Sequence, residues 1–268
     1  MSPDTYFILT LLVRMAVTAA FLITATIVAE RAGPLIGGLV ATLPISAGPI
    51  YIFLALDHDA QFIAGSALGS VVTNAFNTAF TFTYVILAQK RSLAVSVIGG
   101  MVVWIAFSSL ARLVTWETWS AVLLNVIVLG VCLWLSAPMR HVRAPRVKTR
   151  WTDIALRAGM VALLVATVTT LSSRIGSLAS GNLAVFPIVL MSLMLILHNR
   201  VGGKPTAAVL ANGIIGLAGF GVAVLFLHLI AERLGSPLAL ALTLLVSFAC
   251  NLLLFFARRR AMPPIAVE

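Results

Sequence analysis

Polar residues are sparse along this chain, and they punctuate rather than alternate. Between them lie apolar runs of about 20 residues, the length a helix needs to cross a hydrocarbon core of about 30 Å. Nine runs are predicted: residues 6–29, 33–56, 62–88, 93–110, 119–135, 154–171, 178–197, 206–230 and 237–256. The second is interrupted by P-I-S-A-G-P, from Pro44 to Pro49. A basic linker, Arg140 to Arg150, separates the fifth run from the sixth. The pattern predicts an all-α polytopic membrane protein with no soluble domain. The first five residues carry Asp4 and no Lys or Arg, so no cleavable targeting segment is expected.

Two stretches repeat each other. Arg31 to Ile45 reads R-A-G-P-L-I-G-G-L-V-A-T-L-P-I, and Arg174 to Ile188 reads R-I-G-S-L-A-S-G-N-L-A-V-F-P-I. At an ungapped offset of 143, seven of fifteen positions are identical, including the Arg, two Gly and a Pro. Apolar segments match by chance at Leu, Val and Ala; these matches point to duplication. The offset maps runs one to four onto runs six to nine and leaves the fifth alone. Five runs per offset is odd, so the two halves are expected in opposite orientations. The expected architecture is therefore two inverted four-helix repeats, residues 1–112 and 151–268. A linking span and basic cytoplasmic loop, residues 113–150, join them.

Charge adds an orientation. The chain is 61% hydrophobic, with 10% charged residues and a net charge of +10. Thirteen Lys and Arg fall in loops after odd-numbered runs and three in loops after even-numbered runs. The positive-inside rule then places the N-terminus outside and the C-terminus in the cytoplasm, in a plasma (inner) membrane. The same rule explains the basic excess without nucleic acid. Cys132 and Cys250 lie in apolar runs and imply no disulfide framework.

Candidate chemistry is confined to a few polar groups. In the third run Ser66, Ser70, Thr73, Asn74, Asn77 and Thr81 share about a third of a helix circumference. Small and hydroxyl residues of this kind also serve helix packing. Two close amides are costlier to bury and suit a solute pathway. In the second run Pro44 and Pro49 free backbone carbonyls, Gly48 loosens the chain and Ser46 adds a hydroxyl. Freed backbone survives in a membrane only inside protein or beside water. Asn182 and Asn212 are the nearest counterparts in the second half. Arg14 lies within the first run with no acidic residue at helical spacing, and its equivalent Arg157 has Asp153 one turn earlier as an expected interfacial partner. Every acidic residue is expected at an interface or terminus, leaving no buried carboxylate for ion coupling. No metal-ligand spacing, catalytic motif or cofactor motif is present, so neither an enzyme nor a cofactor is expected.

The stretch G-G-L-V-A-T-L-P-I, Gly37 to Ile45, and the acidic turn Asp57 to Asp59 resemble the GlpM-like family of small four-helix inner-membrane proteins. The resemblance covers the second and third runs and implies fold more than activity. The second half departs from it, with Arg200 to Lys204 in place of the acidic turn. The reading favoured by the sequence is a transporter or exporter of a small polar or anionic solute, partnered by the lipid bilayer and that solute. The alternative is a non-transporting scaffold or partner subunit in envelope-polymer or lipid assembly. Substrate-binding candidates are Arg14, Ser46, Gly48, Thr73, Asn74, Asn77, Asn182 and Asn212.

Overall fold

The computed structural model describes residues 3–31, 47–142 and 150–261. Among them every regular element is helical, and no strand occurs. The helices are α1 (Pro3–Arg31), α2 (Ala47–Asp57), α3 (Ala60–Leu87), α4 (Leu93–Ala111), α5 (Thr118–Ser136), α6 (Trp151–Ala184), α7 (Ile188–Val201), α8 (Gly203–Leu234) and α9 (Ser236–Ala261). A 3-10 turn, Ala137–His141, follows α5. Six helical stretches among the described residues are long and apolar enough to cross a membrane, which makes the chain compatible with a multi-pass membrane protein.

The helices do not match the predicted runs one for one. α2 has 11 residues, about 16 Å of rise, and by itself reaches halfway across a bilayer. α6 is two helices that meet at Gly176, whose non-helical backbone (φ 79, ψ 174) turns the chain back between the predicted sixth run and the start of the seventh. That conformation is strained for any residue with a Cβ, so the bend is written into the R-I-G-S sequence. α6 then ends at Val185, and α7 restarts after Pro187, which lacks the N–H that a continuing helix needs. Of the predicted break in the second run, Pro44, Ile45 and Ser46 lie outside the described residues, while Ala47, Gly48 and Pro49 form the first turn of α2.

α3 is the centre of the bundle. Eighteen of its 28 residues are buried, and it packs on α4, α5, α6 and α8. It is not among the six membrane-length apolar stretches, because its polar stripe lowers its hydropathy. Neighbouring helices shield that stripe from lipid. Asp59 starts the helix by accepting the Phe62 N–H at 2.8 Å.

α3 and α8 run antiparallel. At one end His228 Nδ1 donates to the Ala64 carbonyl at 2.8 Å. In the middle Asn74 Nδ2 donates to the Leu217 carbonyl at 2.9 Å. At the other end Gly203 lies so close to the Ala88 carbonyl that a Cβ would overlap it. The first end also gathers the α2–α3 turn and the start of α5, since Thr118 bonds His228. The second gathers the ends of α3 and α7 and the start of α6, through Tyr84–His198 and Asp153–Arg200.

Two large apolar clusters fill most of the interior, and a smaller third joins Leu22 of α1 to Ala158 and Val161 of α6. One large cluster holds Ile50, Tyr51 and Leu54 of α2 with Ile63, Ala67, Val165 and Leu227. The other holds Phe76, Phe80 and Tyr84 with Trp104, Met194, Ala207 and Leu210. The outer faces stay apolar: Ile98, Val102 and Ile105 on α4 and Leu123, Val126 and Trp134 on α5 are exposed, as a lipid-facing surface requires. α5 buries one narrow stripe, Ala121, Asn125, Cys132 and Ser136.

Where α6 crosses α3 the backbones nearly touch. A Cβ at Gly181 would overlap the carbonyl of Ser66, and one at Gly69 would overlap that of Leu178. Gly181→Ala is expected to lower stability by about 1–3 kcal/mol through overpacking. Gly130→Ala, whose Cβ meets no described atom within 4 Å, is expected to be neutral or slightly stabilising. Thermal denaturation of the two purified variants in detergent checks the difference.

Candidate functional site

The predicted stripe on α3 forms one continuous polar seam, and every member is buried. The last turns of α6 supply most of its partners. Ser66 Oγ donates to the Ser177 carbonyl at 3.0 Å, and Ser70 Oγ to the Gly181 carbonyl at 2.9 Å. Because the Ser70 proton is spent there, the Tyr51 hydroxyl at 2.7 Å is the donor in its bond to Ser70. Thr73 Oγ1 meets the Asn182 side chain at 2.8 Å. With its amide nitrogen facing α3, Asn182 also donates to the Gly69 carbonyl at 2.7 Å.

Asn77 reaches the chain break itself. Its Nδ2 donates to the Val185 carbonyl at 2.7 Å, and its Oδ1 accepts from Trp104 Nε1 at 2.9 Å. Trp104 also stacks edge-on against Phe186, with ring centroids 5.0 Å apart. Two side chains of the first half thus hold the irregular backbone of the second. Ile188 N–H donates to the Phe186 carbonyl at 2.6 Å, tightening the same turn.

Asn74 lies at the α3–α8 crossing. Besides Leu217, its Nδ2 donates to Asn125 Oδ1 at 2.9 Å. Asn125 Nδ2 in turn donates to the carbonyls of Val71 at 2.5 Å and Ala121 at 3.1 Å. Asn74 Oδ1 is buried without a partner among the described residues. The crossing leaves little room: a Cβ at Gly221 would come within 2.9 Å of Asn74 Nδ2.

The structure therefore brings Thr73, Asn74, Asn77 and Asn182 together. Asn212 is directed elsewhere, donating to the Arg140 carbonyl at 3.2 Å and the Ala208 carbonyl at 2.9 Å. Gly48 sits in the first turn of α2, and a Cβ there would meet no described atom within 4 Å. Arg14 needs correction. The expectation of an unpaired arginine rested on helical spacing alone, and its partner comes from another helix. Arg14 makes two bonds to the Asp57 carboxylate, at 2.5 and 2.6 Å. Asp153 needs correction as well. It is 7% exposed, a buried carboxylate, and its ion-pair partner across the helices is Arg200 at 2.6 Å.

Three partners were absent from the predicted site: Tyr51, Trp104 and Asn125. Asn125 carried a readable signal, as the single amide in a helix that is otherwise apolar. Tyr51 and Trp104 carried none, since an aromatic residue in a membrane helix is unremarkable until its N–H or O–H is seen to find a partner.

No family model matches this chain, and neither a curated protein nor a solved structure matches it. The geometry alone carries the functional argument.

Asn77→Leu removes the partners of two buried groups, the Val185 carbonyl and the Trp104 N–H. Each unsatisfied group costs about 1–3 kcal/mol. Ser66→Ala removes a single hydroxyl together with its own bond and leaves one carbonyl short. Asn77→Leu is therefore expected to lower the melting temperature in detergent several degrees more than Ser66→Ala.

Proposed function

We propose that this protein is a membrane transporter of a small polar solute, built from two inverted repeats that meet along the α3 stripe. The observation that carries the reading is the broken helix α6–α7. Its freed carbonyls face buried amides and hydroxyls in the interior. Discontinuous helices placed where two repeats meet are a recurring way to build a solute site in a bilayer. With the Arg14 charge already taken by Asp57, hydroxyl and amide groups dominate the seam and suit a neutral polar solute better than an anion.

Several positions support the duplication. α3 and α8 begin at Ala60 and Gly203, and α4 and α9 at Leu93 and Ser236, each pair 143 apart. Asp59 and Ser92 precede the first-half helices, and Gly202 and Gly235, with φ 85 and 76, precede their counterparts. Contacts are reciprocal too: α4 touches α7, and α9 touches α2. Asn74 and Leu217, which bond at the crossing, are themselves 143 apart. A two-fold axis perpendicular to the antiparallel pair α3–α8 would pass through that bond. The resemblance of each half to GlpM-like proteins agrees with a four-helix unit that was duplicated and fused.

Nine spans in an inner membrane, with the N-terminus outside, remain our reading of the topology. The end of the bundle that holds Lys90, Arg91, Arg140, Arg150, Arg200 and Lys204 is strongly basic. The opposite end mixes Asp57, Asp59, Glu117 and Glu232 with Arg112, Arg174 and Arg233. The basic end is cytoplasmic on this reading. In intact cells, a cysteine at Lys90 should stay unlabelled by an impermeant thiol reagent and one at Glu117 should label; the reverse result overturns the orientation.

A second reading has its own observation. The amide nitrogens of Asn74, Asn77 and Asn125 are all engaged by protein, as in a packing seam of a non-transporting scaffold. Solute flux in liposomes separates the two. Wild-type protein should carry small polar solutes. Asn74→Leu and Asn77→Leu should each lower flux at least tenfold per folded molecule, with Ser66→Ala near wild type. Unchanged flux in both Asn variants leaves packing as the role of the stripe.

A further inference from the structure

Two ion pairs occupy related places and take no part in the seam. Arg14 of α1 grips Asp57, the last residue of α2, through two bonds. Arg200, one residue from the end of α7, grips Asp153 in the first turn of α6. Asp57 and Arg200 are 143 apart, and Arg14 is 143 from Arg157, one turn along α6 from Asp153. Each half therefore ties the end of its short helix to its first long helix within one turn of the same point, with acid and base exchanged. The two ties lie at opposite ends of the bundle.

What they tie is the packing over each end of the stripe. α2 contributes Ile50, Tyr51, Phe53 and Leu54 to the apolar cluster of one end, and α7 contributes Met194 to that of the other. α2 and α7 are short, at 11 and 14 residues. α7 is joined to α6 by the non-helical turn at Val185–Pro187, so it moves as an element separate from the α6 helix. Neither pair is fully buried within the protein: the side chains are 16% and 31% exposed in one and 17% and 9% in the other. Water can take over the bonds when a pair opens, which a fully buried pair would not allow.

We propose that the two pairs are reciprocal latches. Arg14–Asp57 holds α2 shut over one end of the stripe, and Arg200–Asp153 holds α7 shut over the other. The proposal rests on the transport reading above and adds how access to that site is controlled. With both latches closed, the stripe is cut off from both ends, in keeping with its burial here.

Thiol accessibility tests it. Full-length protein carrying Cys132→Ala and Cys250→Ala receives one reporter, Ala67→Cys in the α2 cluster or Ala207→Cys in the α7 cluster. Both positions are 0% exposed. In detergent, where a water-soluble thiol reagent reaches both ends, both reporters should react slowly. Asp57→Asn should speed labelling of Ala67→Cys at least tenfold and leave Ala207→Cys unchanged. Arg200→Gln should do the reverse. The charge swap Arg14→Asp with Asp57→Arg should restore slow labelling at Ala67→Cys, and it serves alone if Asp57→Asn does not fold. Both reporters rising together, neither rising, or fast labelling in the swap overturns the latches. Flux from the same wild-type preparation is scored separately: its absence removes the transport reading, while the labelling pattern still decides the latches.

Discussion

A polar helix inside a hydrocarbon environment must find all its hydrogen bonds within the protein, and most of this architecture follows from that requirement. α3 brings two amides and four hydroxyls to one face. Left against lipid, each unsatisfied group would cost several kcal/mol. The bundle answers by surrounding α3 with helices and aiming donors and acceptors at it. It also places next to α3 the one piece of described backbone that most needs partners, the break at Val185–Pro187. Two liabilities cancel: the amides need acceptors, and the broken helix has spare carbonyls. Close approach makes the exchange possible, and glycine makes the approach possible, at Gly69 on one helix and Gly181 on the other.

Much of this was legible in the sequence, at the level of the pattern. Membrane-length apolar runs, the boundaries of α3, α4 and α9 and the polar face of α3 follow from composition and helical periodicity. So does the grouping of Thr73, Asn74 and Asn77. Partners were not legible, because periodicity sees one helix at a time. Arg14 has no acid three or four residues away, yet Asp57 reaches it from 43 residues along the chain. Asp153 lies one turn from Arg157 and is nevertheless gripped by Arg200. Asn182 fell into the site because it neighbours the break; Asn212 did not, because facing the 3-10 turn is decided by how α5 ends. The expected division between the sixth and seventh runs is present at Gly176, whose positive φ ends one helix and turns the chain into the next, as Gly202 and Gly235 do later.

Under the proposed duplication, equivalence is kept in backbone more than in side chains. Helix starts coincide at the 143 offset, while their caps differ: Asp59 and Ser92 in one half, two glycines with positive φ in the other. The ion pairs follow the same pattern, since the place is retained and the polarity is reversed. A charge pair tolerates exchange of its members because Coulomb attraction is blind to which helix carries which sign. Backbone geometry has no such freedom.

Side-chain asymmetry then needs a source, and α5 supplies one. A residue on a two-fold axis meets its own copy. At the α3–α8 crossing that would set Asn74 against an identical amide, yet the equivalent position is Leu217, which offers its backbone carbonyl instead. The second acceptor for Asn74 comes from Asn125 of α5, the helix that the proposed duplication leaves without a counterpart. α5 packs far more on α3 than on α8. An amide on α3 at this point has Asn125 to pair with; because that oxygen already accepts from Asn74, a second amide on α8 would have to find another acceptor or lie buried without one. The linking helix thus makes polarity affordable on one side of the crossing only. The seam is one-sided for that reason, and Asn74 Oδ1, buried without a described partner, marks the place where it stays incomplete.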